Sequence, residues 1–131
     1  MSSTTLLTTV ALEHTTPVYA FEIVDEAGVA VDASQIVTLT LTYYDKATEQ
    51  IINLRDSEDV LNAGNVTLVT AVGPPIVTTV TWTLQPEDTI LADPRRETEQ
   101  HIALFEWTWD SGAKLMVHEV QFGVEQITYV T

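Results

Sequence analysis

Apolar residues alternate with threonines through most of the chain. The clearest run is residues 36–43, in which Val37, Leu39, Leu41 and Tyr43 share one parity and three threonines share the other. Successive side chains of a β-strand point to opposite faces, so a period of two places one face in a core. This segment is therefore predicted to be a strand with one buried face.

The same pattern, broken by turn-forming residues, predicts about eight strands. Asp25–Gly28 and Asp110–Ala113 are two of the sequences that end them. The predicted strands are Thr4–Leu12, Tyr19–Ile23, Val37–Tyr44, Gln50–Leu54, Val66–Val72, Ile76–Leu84, Glu99–Trp109 and Lys114–Val124. Turns at this spacing are typical of a sandwich. The predicted fold class is all-β, an antiparallel β-sandwich of about 7–9 strands with almost no helix.

A few segments depart from this alternation. Ser57–Asn62 and Gln85–Ile90 are each predicted to form a short helical turn, the second with Pro86 at its first position. In the last strand the apolar parity changes between Val117 and Val120. A bulge near His118 would reconcile the two halves, and a strand that simply ends there explains the pattern equally well.

The chain divides into residues 1–13 and a single sandwich domain over residues 14–131. The first segment is rich in threonine and places Leu6, Val10 and Leu12 on one parity. A free arm of this kind would add a strand to the sheet edge of a neighbouring molecule, with these three residues at the interface. The alternative is a first strand packed within its own sandwich. The sequence leaves both open.

Charge and composition narrow the classes of partner. Among 131 residues, 5 basic and 19 acidic side chains give a net charge of −14, and cysteine is absent. Such a surface repels phosphate backbones and anionic lipid, so neither nucleic acid nor a membrane is an expected partner. The chain has no signal-peptide pattern and no apolar run of membrane-spanning length. We therefore expect a soluble protein made in the cytoplasm, with no disulfides.

No motif for catalysis is present. The sequence lacks a nucleophile elbow, and its 5 glycines are too scattered to form a phosphate-binding loop. With 19 acids some pair of carboxylates will always be close, and nothing in the sequence marks one pair as a general acid and base. We expect no catalytic residues, no cofactor and no enzymatic activity.

Two groups of residues are candidates for metal binding. Glu97, Glu99 and His101 alternate, so a continuous strand would place a carboxylate–imidazole set on one face. The interpretation we favour is a strand that enters the sandwich with its charged start outside and His101 hydrogen-bonded at the rim. The acidic segment Asp56–Asp59 lacks the glycine and glutamate of a calcium loop and is predicted to be a solvated loop with a capping role. We expect no metal site.

Whether the three tryptophans are buried or exposed distinguishes a structural role from carbohydrate binding. Trp107 and Trp109 continue the parity of Phe105, and Trp82 continues that of Val80. Burial in the core is the expected outcome for Trp82 and for at least one of the other two. If Trp107 and Trp109 were instead exposed in a groove, they could stack on a sugar, as in β-sandwich carbohydrate-binding modules.

Three segments resemble a particular group of proteins. They are Phe21–Gly28 followed by Val31–Asp32, then Trp82–Thr89, then His101–Trp107. The first resembles the opening of immunoglobulin-like domains in tailed-bacteriophage virion proteins, such as the N-terminal domain of baseplate upper proteins. The resemblance covers roughly residues 17–126. One departure is that baseplate upper proteins continue into a stalk, whereas this chain is expected to end with its sandwich.

The resemblance implies an immunoglobulin-like sandwich that serves as a structural protein in the virion. Its partners would be copies of itself and other phage structural proteins, bound through protein–protein contacts in a symmetric assembly. Capsid decoration, neck, tail and baseplate positions all remain open, and the protein would be made in the bacterial cytoplasm. The alternative function is a β-sandwich module that binds carbohydrate or a cell surface.

Overall fold

The fold was analysed in a computed structural model of the chain. The structure describes residues 2–6, 11–12, 14–25, 27–73, 76–93, 95–109 and 114–125. Within these ranges, none of the elements is a helix with the length and apolar character needed to cross a membrane.

Nine strands and two short 3₁₀ turns make up the regular structure of the described residues. The strands are β1 (Ser2–Leu6), β2 (Ala11–Leu12), β3 (Val18–Glu22), β4 (Thr38–Asp45), β5 (Glu58–Asp59), β6 (Val66–Ala71), β7 (Val77–Thr83), β8 (Thr98–Trp109) and β9 (Lys114–Glu125). The 3₁₀ turns are Ala33–Gln35 and Pro86–Asp88. The predicted all-β class is confirmed.

The strands form two sheets that face each other as a sandwich. The larger sheet has the order β1-β9-β8-β4-β5, with β2 also paired to β9, and the smaller sheet has the order β3-β7-β6. Taking β3, β7 and β6 as strands B, E and D, and β4, β8 and β9 as C, F and G, gives the immunoglobulin arrangement. The pairing is antiparallel except at one edge, where β1 and β2 run parallel to β9. That edge joins distant parts of the chain, so no hairpin imposes an antiparallel direction.

The core lies between the sheets and is built by the predicted alternation. Leu39, Leu41 and Tyr43 of β4 are fully buried, and they face Val80 and Trp82 of β7 across the sandwich. All three tryptophans are buried: the exposed fraction is 0% for Trp82, 2% for Trp107 and 7% for Trp109. The prediction that they belong to the core is confirmed.

The segment Gln50–Leu54 is not a strand, contrary to the prediction. It keeps one isolated bridge, between Ile51 and Tyr44. Asn53 and Leu54 adopt left-handed backbone angles with φ of 54° and 57°, which end the extended conformation. This turn directs Arg55 into the interior while Leu54 projects into solvent. The turn at Asn53 and Leu54 therefore takes the place of the predicted strand.

The two predicted helical turns and the predicted bulge in the last strand have different outcomes. Pro86 begins a 3₁₀ turn as predicted. Ser57–Asn62 is not helical, because residues 58–59 form β5 against β4 instead. β9 continues past His118 without a bulge, in unbroken register with β8. The parity change has a simpler cause, since Leu115 and Val117 lie on the outer face of the sheet.

Much of the N-terminal segment lies along β9. β1 pairs with residues 117–121 and β2 with residues 124–125, which is the arrangement of an intrinsic strand. Of the three candidate interface residues, Leu6 ends β1 and Leu12 is 49% exposed in β2. Val10 lies outside the described residues.

Deleting residues 1–12 is expected to leave a folded but less stable sandwich. The deletion removes the backbone pairing of five residues in β1 and two in β2. Each hydrogen bond contributes a net stabilisation of about 0.5–1.5 kcal/mol, so the free energy of unfolding should fall by roughly 2–4 kcal/mol. Urea denaturation followed by tryptophan fluorescence measures it. An unchanged midpoint would mean that the pairing with β9 contributes nothing.

Candidate functional site

Three ionisable side chains meet inside the sandwich at one end of the larger sheet. Glu99 and His101 lie on the inner face of β8, near its start, and Asp45 is the last residue of β4, directly opposite His101 in the antiparallel register. The exposed fraction is 0% for Asp45, 3% for Glu99 and 0% for His101. One ligand atom from each lies within 4.8 Å of the other two. We call these residues the acid–histidine cluster.

The cluster differs in one member from the set that alternation selected. Glu97 is exposed and precedes β8, which begins at Thr98, so strand parity does not extend to it. Glu97 lies outside, as expected for the charged start of the strand. Glu99 and His101 share a face and are both buried, so the expectation that His101 lies at the rim is wrong. Asp45 takes the place of Glu97.

Glu99 is held by the loop that precedes β8. Its Oε1 accepts the backbone N–H of Ala92 at 2.6 Å, and its Oε2 accepts that of Asp93 at 2.8 Å. Oε1 also lies 2.9 Å from Nε2 of His101. These contacts compensate the cost of burying a carboxylate and fix its position.

His101 connects the cluster to a second buried group. Its Nδ1 lies 2.9 Å from the hydroxyl of Tyr43, and that hydroxyl lies 2.6 Å from the backbone carbonyl of Asp88. The carbonyl has no proton to give, so Tyr43 donates its hydroxyl proton there. Nδ1 of His101 must then donate to the Tyr43 oxygen.

One carboxylate oxygen of Asp45 accepts hydrogen bonds, and the other does not. Its Oδ2 accepts the hydroxyl of Thr48 at 2.8 Å and Nη1 of Arg96 at 3.2 Å. Its Oδ1 is buried and has no hydrogen-bond partner among the described residues. A buried carboxylate oxygen without a partner is costly, so it marks a position where a positive group would be stabilised.

A groove opens beside the acid–histidine cluster. It has a volume of about 400 Å³ and is lined by Lys46, Ala47, Arg96, Thr98, Glu99 and Gln100. Arg96 lies between groove and cluster, since its side chain is 30% exposed and its Nη1 is 3.4 Å from Oε2 of Glu99. Glu99 is therefore shared by the groove and the buried cluster.

The neighbouring buried group is an ion pair. Arg55 reaches Asp88 through Nε at 2.6 Å and Nη2 at 3.0 Å, a bidentate contact in which both side chains are at most 3% exposed. Nη1 of Arg55 binds Glu58 at 2.6 Å. Asp88 also accepts the amide of Asn53 and the backbone N–H of Gln85. This set ties the loop between β4 and β5, both in the larger sheet, to the loop between β7 and β8, which connects the two sheets.

Burial perturbs the titration of these groups. Desolvation, reinforced by the charge of Asp88, raises the pKa of Tyr43 well above its ordinary value. Desolvation also lowers the pKa of His101, although the contact with Glu99 opposes it, so the neutral imidazole is favoured at neutral pH. Burial alone would raise the pKa of Asp45, but hydrogen bonds from Thr48 and Arg96 hold it below its usual range.

The acidic segment Asp56–Asp59 does not form a metal site. Glu58 binds Arg55 at the edge of the interior, and Asp59 accepts the backbone N–H of Leu61 at 3.1 Å. The capping role predicted for this segment is absent, because no helical turn forms over residues 57–62 and the contact of Asp59 is with the residue two positions on. Over the described ranges, the acid–histidine cluster is the one group of three with the spacing of metal ligands.

Sequence reasoning missed Asp45, although a signal for it existed. The sequence Asp45-Lys46-Ala47-Thr48 indicates a turn, so Asp45 falls just outside the predicted strand Val37–Tyr44. It also continues the parity of Leu39, Leu41 and Tyr43, which predicts an inward side chain. Its proximity to Glu99 could not be predicted, because it depends on the pairing of β4 with β8.

Comparison of the chain with protein-family models, with curated proteins and with solved structures finds no match.

Proposed function

We propose that this chain is a non-enzymatic structural protein of a tailed-bacteriophage virion, acting through protein–protein contacts in a symmetric assembly. Capsid decoration, neck, tail and baseplate are the candidate positions, and the partners are copies of the chain and other virion proteins. The sequence resemblance over residues 17–126 and the immunoglobulin-like strand order support this proposal. The observation on which the proposal depends most is the low charge of the outer face of the smaller sheet.

The outer face of the smaller sheet is almost free of charge. We call it the Thr/Val face. Its ten residues are Val18, Ala20, Glu22, Thr67, Val69, Ala71, Val77, Thr79, Thr81 and Thr83. Glu22, at one end, is its single charged member. The outer face of the larger sheet instead carries Glu106, Glu119 and Glu125.

An uncharged face matters on a protein with a net charge of −14. Copies of such a protein repel each other, and a contact through an acidic face would bury unpaired carboxylates at a cost of several kcal/mol. A contact through the Thr/Val face avoids that cost, and the core of an interface is normally depleted of charge. The remaining acidic surface keeps the particle soluble.

The alternative is a module that binds carbohydrate or a cell surface, and the residues expected to stack on a sugar were Trp107 and Trp109. Trp107 and Trp109 are 2% and 7% exposed, so neither presents a ring to a sugar. We therefore keep the structural role as the conclusion.

Replacing Val69 with glutamate is expected to abolish assembly and leave the fold intact. Val69 is 60% exposed in the middle of β6 on the Thr/Val face. The new carboxylate is therefore hydrated in the free chain, but it would be buried without a counter-charge in the contact. The measurement is the amount of the variant that incorporates into particles when it is supplied in place of the wild-type chain. Circular dichroism confirms the fold.

Leu115→Glu is the matched control. Leu115 is 55% exposed on the outer face of the larger sheet, so this variant makes the same change of charge on the other side of the molecule. We expect it to incorporate as the wild type does. If Val69→Glu incorporated normally, the Thr/Val face would not be the contact. If mass spectrometry of purified virions found no copies of the chain, the virion role itself would be wrong.

A further inference from the structure

The hydrogen bonds around His101 leave its Nε2 without a proton in the neutral imidazole. Nδ1 of His101 donates to Tyr43, because the hydroxyl proton of Tyr43 is committed to the carbonyl of Asp88. In the neutral imidazole, Nε2 then carries a lone pair. That lone pair faces Oε1 of Glu99 at 2.9 Å.

Glu99 supplies no proton to this contact in its ionised form. Its two oxygens accept backbone N–H groups from Ala92 and Asp93 and lie near Arg96, partners that match a carboxylate, which only accepts. Two acceptors therefore face each other in a buried site. A positive species between them, either a proton or a metal ion, turns that repulsion into attraction.

Asp45 gives a second and independent indication of a cation. Its carboxylate is fully buried, one of its oxygens lies within 4.8 Å of the ligand atoms of Glu99 and His101, and Oδ1 lacks a partner among the described residues. A bound proton on His101 would leave Oδ1 unsatisfied. A metal ion held by all three side chains would be bound by a carboxylate oxygen of Asp45 as well as by the facing pair.

We propose that Asp45, Glu99 and His101 form a binding site for a divalent transition-metal cation of the zinc and manganese class. The ligands are Nε2 of His101, a carboxylate oxygen of Glu99 and a carboxylate oxygen of Asp45. Oδ1 is the Asp45 oxygen without a hydrogen-bond partner among the described residues. An imidazole with two carboxylates suits these cations, whereas calcium and magnesium favour oxygen ligands alone.

The surroundings match those of known metal sites. A metal-binding histidine normally donates its other ring N–H to a fixed acceptor, and Tyr43 provides that acceptor. The ligand atoms of one tetrahedral zinc lie about 3.4 Å apart, so the widest pair in the cluster closes by at most about 1.4 Å, shared between two side chains. Of the three ligands, Glu99 lines the neighbouring groove, so the groove is the side from which a cation would approach.

Arg96 balances part of the negative charge without the metal. Its Nη1 contacts Oδ2 of Asp45 and Oε2 of Glu99, and neither contact uses Oδ1 of Asp45 or Nε2 of His101. Because its side chain is partly exposed, it can move into the groove when a cation binds. The site would join the end of β4 to the start of β8, so the metal acts as a structural clamp on the larger sheet.

Isothermal titration calorimetry of the chelator-treated full chain with zinc chloride, and then with manganese chloride, tests the proposal. We expect one site per chain with micromolar or tighter affinity for zinc, and a melting temperature that rises by several degrees. Cobalt chloride is a further probe on the wild-type chain, since visible absorption bands report coordination by the protein. Absence of zinc binding and of cobalt bands would overturn the proposal and leave a proton as the species between His101 and Glu99.

Asp45→Asn and Glu97→Gln are the paired variants. Asparagine keeps the shape of Asp45 and an acceptor for Thr48 and Arg96 but removes the charge, so zinc affinity should fall at least tenfold. Glu97 is exposed and outside the cluster, so Glu97→Gln should bind zinc as the wild type does. Equal affinity in Asp45→Asn and the wild type would place the zinc elsewhere. If Asp45→Asn does not fold, the wild-type titration and the cobalt spectrum still decide the result.

Discussion

Replacing Trp82 with alanine lowers the free energy of unfolding by about 3–5 kcal/mol, which is enough to unfold a domain of ordinary stability. Trp82 is fully buried at the centre of the core. Its ring contacts Tyr43 and Phe105 edge-on, with ring centroids 5.2 and 5.6 Å away, and the guanidinium of Arg55 lies 5.7 Å from its centroid. Alanine removes these contacts and leaves a cavity between the sheets. Thermal denaturation followed by circular dichroism measures the loss.

Trp82→Phe is the informative control. The indole N–H of Trp82 is buried and has no hydrogen-bond partner among the described residues. Phenylalanine keeps an aromatic ring and removes this unsatisfied donor, so part of the lost packing is offset and the variant should lose much less than Trp82→Ala. If Trp82→Ala melted within a few degrees of the wild type, the position of Trp82 in the core would be wrong.

Replacing Arg55 with methionine is expected to lower the free energy of unfolding by about 3–5 kcal/mol, because it leaves Asp88 as an uncompensated buried charge. Methionine preserves much of the length of the side chain, so the loss reports the charge more than the packing. Asp88 would retain only its contacts with Asn53 and Gln85. Equilibrium unfolding in urea measures the change.

Two further variants separate the buried ion pair from ordinary surface charge. Arg95 pairs with Asp93 at 3.1 Å but its side chain is 89% exposed, so Arg95→Met should leave the unfolding midpoint unchanged. Adding Asp88→Asn to Arg55→Met removes both buried charges, and we expect the double variant to recover part of the stability. Equal losses in Arg55→Met and Arg95→Met would show that burial of the Arg55 pair has no energetic consequence.

Local patterns were sufficient wherever a strand has one buried face. In β8 the alternation of Phe105, Trp107 and Trp109 predicted that at least one of the two tryptophans is buried, and all three side chains are buried. Burial of alternate residues is a property of the strand itself, so a window of a few residues contains the information. The same reasoning failed at Gln50–Leu54, where the turn that places Arg55 inside replaces the expected strand.

The charged residues of the interior could not be predicted in this way. Glu99 and Arg55 look like surface residues in the sequence, because a charged side chain is buried only where a partner compensates its desolvation. Their partners, His101 with Asp45 and Asp88 respectively, are specified by strand register and loop packing between distant parts of the chain. The class of fold, the faces of the long strands and the aromatic core could be predicted from the sequence, since they follow from short-range periodicity. Which buried charges meet, and the presence of Asp45 in place of Glu97 in the candidate metal site, depend on the pairing between strands, a non-local property that alternation does not encode.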